Sequence, residues 1–317
     1  MTRARDLSND EANNGGATPP FVAGKNKVIN GDFGVWQRGT SFSTPNATYT
    51  ADRWFQGADS VPTTWAISQQ TFTPGTAPVA GYEGTYFYRS LCTTTGSATI
   101  ADITHRIEDV RTFAGQTVTL SFWAKADTTR TSLIYLVQVF GTGGSSGVVP
   151  STPSITFTNT WQRFTFTMSV PSIAGKTIGA GSYLGVNIRQ ALANGSTLDI
   201  WGVQLEAGSV ATPFQTATGT VAGELAACQR YYWKNIHWGT GTIYGNNMYV
   251  SVMNPIQMRT SPSVSKYANG DAMGLATIST ITVNDNSQYG FNYNFAYTGS
   301  NFLATRCFLY LEASAEL

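Results

Sequence analysis

The sequence predicts an all-β protein: an extended N-terminal arm over residues 1–25, an antiparallel jelly-roll β-sandwich over 26–219, and a smaller C-terminal β domain over 220–317. Three observations predict it. Charged residues make up only 12% of the chain while aromatics reach 13%, and the polar set is Thr, Ser, Asn and Gly rather than the helix formers Glu and Lys. Short segments alternate apolar and polar residues, the pattern of half-buried strands. Turn clusters separate them, as at Gly141-Thr142-Gly143-Gly144, Pro150 to Pro153 and Ala193-Asn194-Gly195.

In chain order, residues 1–25 are small, polar and marked by Thr18-Pro19-Pro20, and bury too little apolar area to fold alone. They read either as a loose leader or as an arm that orders against a partner, with Arg3 and Arg5 as charge anchors and Leu7 as an apolar one. Val28-Ile29 opens the expected first strand, followed by the turn pair Asn30-Gly31. Thr117 to Lys125 alternates with Val118, Leu120 and Phe122 on one face; Leu133 to Phe140 is more continuously apolar and suits a central strand. Trp161 to Val170, Tyr183 to Arg189 and Leu198 to Leu205 follow, the last expected to lie beside the first strand. One short helix is predicted over Gly223 to Trp233, dependent on tertiary packing. Met248 to Val252, Tyr289 to Tyr297 and Cys307 to Ala313 then read as strands, with Pro255 to Pro262 as a connection. So small a β domain gains stability by burying faces against copies of itself, which predicts self-association, threefold.

Charge and cysteine content exclude several functions. A formal net charge of +1 gives no general attraction to nucleic acid or anionic membrane. No apolar run approaches the roughly 18 residues of a membrane span, and Met1 to Leu7 lacks the apolar core of a signal peptide. Cys92, Cys228 and Cys307 are far apart, show no metal spacing, and read as three buried free thiols suited to a reducing cytoplasm. The only histidines, His105 and His237, stand in no nucleophile or metal motif, and no Gly-rich phosphate loop occurs.

Carboxylates are the remaining route to catalysis, since a pair can hydrolyse a glycoside. The candidates are Asp32, Asp52, Glu83, Asp102, Glu108, Asp109, Asp199 and Glu206. If the first and last strands are neighbours, Asp32 and Asp199 would help to hold a structural Ca²⁺ at the sandwich edge, the one cofactor the chain suggests; the same residues also read as a turn aspartate and an ordinary strand aspartate. The aromatics give the stronger hint. Trp36, Trp54, Trp65, Tyr82, Tyr86 and Tyr88 crowd the first third, and Tyr231, Tyr232, Trp233, Trp238 and Tyr244 crowd the start of the last domain. Such rings stack on the apolar face of a sugar, and equally fill cores and interfaces. Trp36, Arg38, Trp54, Trp65, Tyr82, Trp238 and Tyr244 are the candidate carbohydrate-binding residues.

Ile29-Asn30-Gly31-Asp32-Phe33, Trp36-Gln37-Arg38-Gly39-Thr40-Ser41-Phe42 and Tyr49-Thr50-Ala51-Asp52-Arg53-Trp54 resemble the opening of the carbohydrate-binding-module-like domain of tailed-phage fibre proteins. Val203 to Gly208, Ala211-Thr212-Pro213-Phe214 and Cys228-Gln229-Arg230-Tyr231-Tyr232 follow in the family's order, and Thr2 to Leu7 resembles the start of tail or head fibre proteins. The resemblance implies a jelly roll on a virion appendage, assembled in the host cytoplasm, trimeric, binding host cell-surface glycan, and docked through its arm onto tail or capsid proteins. It implies a short tail fibre or receptor-binding protein and not an enzyme; a head fibre or capsid-decorating protein without a ligand, or a glycan hydrolase, are the alternatives. The chain departs from the family's long fibres in lacking a coiled coil or repetitive shaft, and no depolymerase motif is present.

Overall fold

The structure, a computed structural model, describes residues 21–60, 64–79, 82–240, 242–244, 247–271, 277–278, 281–296 and 306–317. Arg3, Arg5 and Leu7 of the expected arm lie outside the described residues. Two antiparallel sheets form the sandwich. The first runs β1 (Ser41–Ser43), β4 (Thr64–Thr71), β5 (Tyr86–Thr94), β12 (Ser196–Ala207), β7 (Thr117–Ala126), β10 (Gln162–Ser169). The second runs β2 (Thr48–Tyr49), β3 (Trp54–Ala58), β6 (Ala101–Glu108), β11 (Tyr183–Gln190), β8 (Arg130–Val139), β9 (Ser154–Phe157). From β5 onward the chain repeatedly crosses between the sheets, as a jelly roll does. Alternation works as the sequence suggests: Val118, Leu120 and Phe122 of β7 and Ile134 and Leu136 of β8 enter the core between the sheets.

The expected first strand is a correction. Residues 26–31 do run beside β12: Lys27 N–H donates to Leu205 O (3.1 Å), Val203 N–H to Gly31 O (2.9 Å), and the Asn26 amide bridges Val203 and Leu205. They form no strand, because Asn30 and Phe33 take left-handed backbone (φ 57° and 55°) that ends any pleat. Gly31 is required by contact: a Cβ there would lie 2.2 Å from Val203 O. The seam also starts earlier than the expected boundary at residue 25, since Val22 N–H already donates to Gln215 and Gly24 N–H to Ala217.

The helix is shorter than predicted. α1 spans Val221–Gln229, with Thr220 as N-cap accepting from Gly223 N–H. Tyr232 and Trp233 instead open β13 (Tyr232–Thr240), which pairs with β20 (Arg306–Ser314). With β16 (Ser263–Asp271) and β17 (Thr277–Ile278) they form one C-terminal sheet; β14 (Thr242–Tyr244), β15 (Asn247–Met253), β19 (Gly290–Ala296) and β18 (Thr282–Asn286) form the other. Trp233, Met248, Val250, Phe291, Tyr293 and Leu309 fill the space between. All three cysteines are buried, and none forms a disulfide among the described residues. Among the described residues no helix is long and apolar enough to cross a membrane.

The C-terminal unit is joined to the sandwich by charge. Arg53, 1% exposed, pairs with Glu316, donates to Arg106 O and stacks 3.5 Å from the Tyr231 ring centre. Arg38 stacks 3.6 Å from the Tyr232 ring centre and reaches Glu316 (3.1 Å) and Asp52 (3.4 Å). Asp52 also accepts from Gln37 N–H at 2.6 Å. Burial nevertheless outweighs these partners and pushes the Asp52 carboxyl from 3.8 up to about 6. An acid whose folded value is raised holds its proton more tightly in the native state, so stability is lost as pH rises between the two values. Between pH 4 and 6 ionisation of Asp52 should therefore remove about 3 kcal/mol, the equivalent of roughly two pKa units. Urea unfolding across that range, with Asp52→Asn beside wild type, checks this; parallel profiles would refute it.

Candidate functional site

A cleft opens where the turn after Asn30, the segment entering β5, and the N-terminus of α1 meet. Its first wall is a rigid turn. The Asn30 side chain donates to Val35 O (2.9 Å) and Asp52 O (3.0 Å) and accepts from Val35 N–H (2.9 Å). Its main-chain N–H donates to Glu224 (2.8 Å) and its carbonyl accepts from the Trp54 indole (2.9 Å). With Asn30 held on every side, Asp32 and Gly34 are presented outward.

The second wall is Tyr82 to Tyr86. Gly84 lies flat on Trp201, where a Cβ would come within 2.9 Å of the indole ring. Tyr82 stands edge-on to Trp201 and Phe214, 5.4 Å from each. Glu83 accepts from Gly75 N–H (2.7 Å). The third side is the start of α1, where Val221 is exposed and the buried Glu224 accepts from Thr218 N–H (2.7 Å) and Thr218 Oγ1 (2.8 Å). The main cavity, about 440 Å³, is lined by Asp32, Tyr82, Glu83, Tyr86 and Val221 among others. A further 120 Å³ adjoins it, lined also by Thr216, Thr220 and Glu224.

The field in the cleft is negative. Burial, then the Glu224 charge, raise the Asp32 carboxyl above its ordinary value. Burial, then Asp32 and Glu224, push the Tyr82 phenol up to about 12, so its ring stays neutral. Six of the eight candidate carboxylates are committed elsewhere: Asp52 to Arg38, Asp102 to Arg189, Glu108 to Arg230, Asp109 to Arg111, Asp199 to Arg89 and Lys125, and Glu206 to Lys25. Asp32 and Glu83 form no ion pair among the described residues, and both line this cleft.

Of the expected sugar-binding residues, Tyr82 is in the cleft. Trp54 and Trp65 are corrections: both are core side chains, 0% and 1% exposed, with indole N–H groups donated to Asn30 O and Ser90 Oγ, so neither can meet a ligand. Trp36 is half-buried against Tyr88 and donates to Phe33 O. Arg38 serves the seam. Trp238 is 72% exposed on the C-terminal unit, beside Phe308. Tyr244 ends β14, and its side chain lies outside the described residues. For calcium, Asp199 has both oxygens taken by Arg89 (2.7 Å each) and lies 3.7 Å from Lys125, an environment built for a carboxylate rather than a cation. Among the described residues no group of three or more His, Cys, Asp or Glu is placed to hold a metal. Glu83 is expected only as one of eight candidate carboxylates and Tyr86 only as one of the crowded aromatics, and Gly84 is not expected at all, although an acid and a glycine between two tyrosines is a visible cue.

Gly84→Ala forces a methyl into Trp201, and overpacking of this kind costs about 1–3 kcal/mol. Thermal unfolding followed by tryptophan fluorescence should show that loss; unchanged stability would mean that the cleft wall is not seated on the indole.

No protein-family model matches the sequence, and no curated protein matches it. Solved structures do. The N-terminal cellulose-binding domain of Cellulomonas fimi β-1,4-glucanase C is 17% identical, with a TM-score of 0.33 over 50% of this chain and 90% of that one. The enzymatically active domain of tailspike protein 4 from bacteriophage CBA120 is 20% identical, with a TM-score of 0.34 over 58% of this chain and 22% of that one. A cyclase from Fischerella sp. TAU is 13% identical, with a TM-score of 0.39 over 58% of this chain and 98% of that one. None of these carries its ligand or its reaction over to this chain.

Proposed function

We propose that this chain is a glycan-binding protein of a tailed-phage particle, a short fibre or receptor-binding protein that attaches to host surface saccharide. The observation that carries the binding reading is the cleft itself: two tyrosine rings beside two carboxylates without ion pairs, on a rigid frame. A ring packs on the apolar face of a pyranose, and a carboxylate accepts strong hydrogen bonds from its hydroxyls. The cavity volume lies within the range of small-ligand sites. The ordered sequence blocks at residues 29–54, 203–214 and 228–232 support the phage assignment.

Glycan hydrolysis is the second reading, and one observation favours it. Asp32, raised by burial, lines the same cavity as Glu83, and two carboxyls about one cavity are what an acid and base pair needs. We propose binding without turnover.

On an array of bacterial surface glycans, wild type should retain a restricted set, and Tyr86→Ala or Asp32→Asn should weaken that retention at least about tenfold, or about 1.4 kcal/mol. A blank array, or variants that bind like wild type, would count against the cleft. Release of reducing ends from a retained glycan would favour the hydrolase. For attachment to the particle, the anchoring chain is expected within residues 1–20, because Val22 and Gly24 are already bonded to the sandwich. Deleting 1–20 should abolish incorporation into particles and leave thermal unfolding unchanged; retained incorporation would remove that role.

A further inference from the structure

We propose that the saccharide taken by the Asp32–Glu83 cleft carries a free ammonium group, so that the ligand is an amino sugar rather than a neutral or acidic one. The inference rests on the reading of the cleft as a saccharide site and adds the charge of its ligand. The chain as a whole is close to neutral, at +1, so the negative field here is local. Among the described residues, no Lys, Arg or His lines either part of the cavity. Of the basic residues that flank Asp32 in sequence, Lys25 pairs with Glu206, Arg38 pairs with Asp52 and Glu316, and Lys27 lines a different cavity with Arg53 and His105. Among the described residues Asp32 is therefore left facing Glu224 with no counter-charge, and the Glu224 charge raises the free energy of the ionised Asp32. A cation seated between Asp32 and Glu83 relieves that repulsion. A uronate or sialate would add to it.

The rings are suited to the same charge. Tyr82 stays neutral to about pH 12, so its π-face keeps the negative quadrupole that attracts an ammonium, and Tyr86 stands on the same wall. One further feature favours a sugar over a lysine side chain. The cavity, about 440 Å³, is the size of a small-molecule site, wider than a single alkyl-ammonium chain requires.

The test is calorimetric titration of the full chain at about pH 6, where an amine is charged. Three ligands are compared: a glucosamine oligomer, the same oligomer N-acetylated, and a lysine-rich peptide. The expected result is that the glucosamine oligomer binds at least about tenfold tighter than its acetylated form, a preference lost at high salt. Asp32→Asn and Glu83→Gln should each narrow that preference, weakening the glucosamine oligomer by a larger factor than the acetylated one. Because the Asp32 carboxyl is raised, affinity for the glucosamine oligomer should already fall as pH drops toward the ordinary carboxylate range, and Asp32→Asn should flatten that fall. Equal binding of both oligomers, lost together in Tyr86→Ala, would overturn the proposal and leave the saccharide site standing. A lysine peptide that binds as tightly as the oligomer would overturn it in favour of a protein ligand. No binding of any of the three, with neutral glycans retained on the array, would overturn it as well; no binding with a blank array would remove the saccharide site itself.

Discussion

The structure depends on one buried cation. Arg53 holds left-handed backbone (φ 70°), which a bulky residue rarely adopts, and is 1% exposed. A guanidinium cannot shed its charge, so burial demands partners; here its two terminal nitrogens have them and its Nε has none. Those partners come from three places: Glu316 at the far end of the sequence, the Arg106 carbonyl on the second sheet, and the Tyr231 ring just beyond α1. The sandwich, the helix and the C-terminal unit must all be in position before that charge is satisfied. Removing one partner of such a pair typically costs about 3–5 kcal/mol. The seam is thus coupled to folding in a way that an apolar contact of the same size would not be, because apolar surface tolerates sliding and a buried ion does not.

The same seam frames the cleft. Asp52, next to Arg53, accepts from Gln37 and lends its carbonyl to the Asn30 amide; Asn30 in turn engages Glu224 and Trp54. A continuous set of hydrogen bonds therefore runs from the Arg53 cluster to the turn that presents Asp32. Glu224 joins that turn to α1 and to Thr218, so one carboxylate fixes two of the three sides. Preorganisation of this kind is what a binding site on loops needs, since ordering loops on contact with a ligand would offset the interactions gained.

Much of this fold was legible in the sequence, and the exceptions have physical causes. β7, β8, β11 and β12 were readable because their core faces alternate or run continuously apolar. Residues 26–31 imitate a strand, since Val28 and Ile29 are β-branched, yet the register of the chain there is set by Asn26 and Asn30 side chains that replace ladder bonds. The aromatics misled for a different reason. Phe87, Trp123 and Trp201 point away from the core, but the segments around Phe72, Tyr82 and Phe214 fold over them into a second aromatic cluster. A sheet covered on both faces loses the inside–outside contrast that marks an exposed ring. Trp54 and Trp65 are then indistinguishable by sequence from Tyr82, although only Tyr82 borders solvent in the cleft.

What finally separates a site from a scaffold here is the disposition of charge. In a chain so sparing of ionisable residues, each carboxylate placed beside an arginine is explained by folding: Asp102 with Arg189 and Asp199 with Arg89 are cross-strand pairs that tie neighbouring strands and need no ligand. Asp32 has no such explanation. Its turn would be as well held by asparagine, since Asn30 and Glu224 make the bonds that fix it, and the one contact of its own, to Gly34 N–H at 3.4 Å, is weak. A half-buried carboxylate kept beside a second carboxylate lowers stability, and local departures of that kind concentrate where a protein binds or reacts. The cleft is therefore identified less by its shape than by a cost that the fold alone gives no reason to bear.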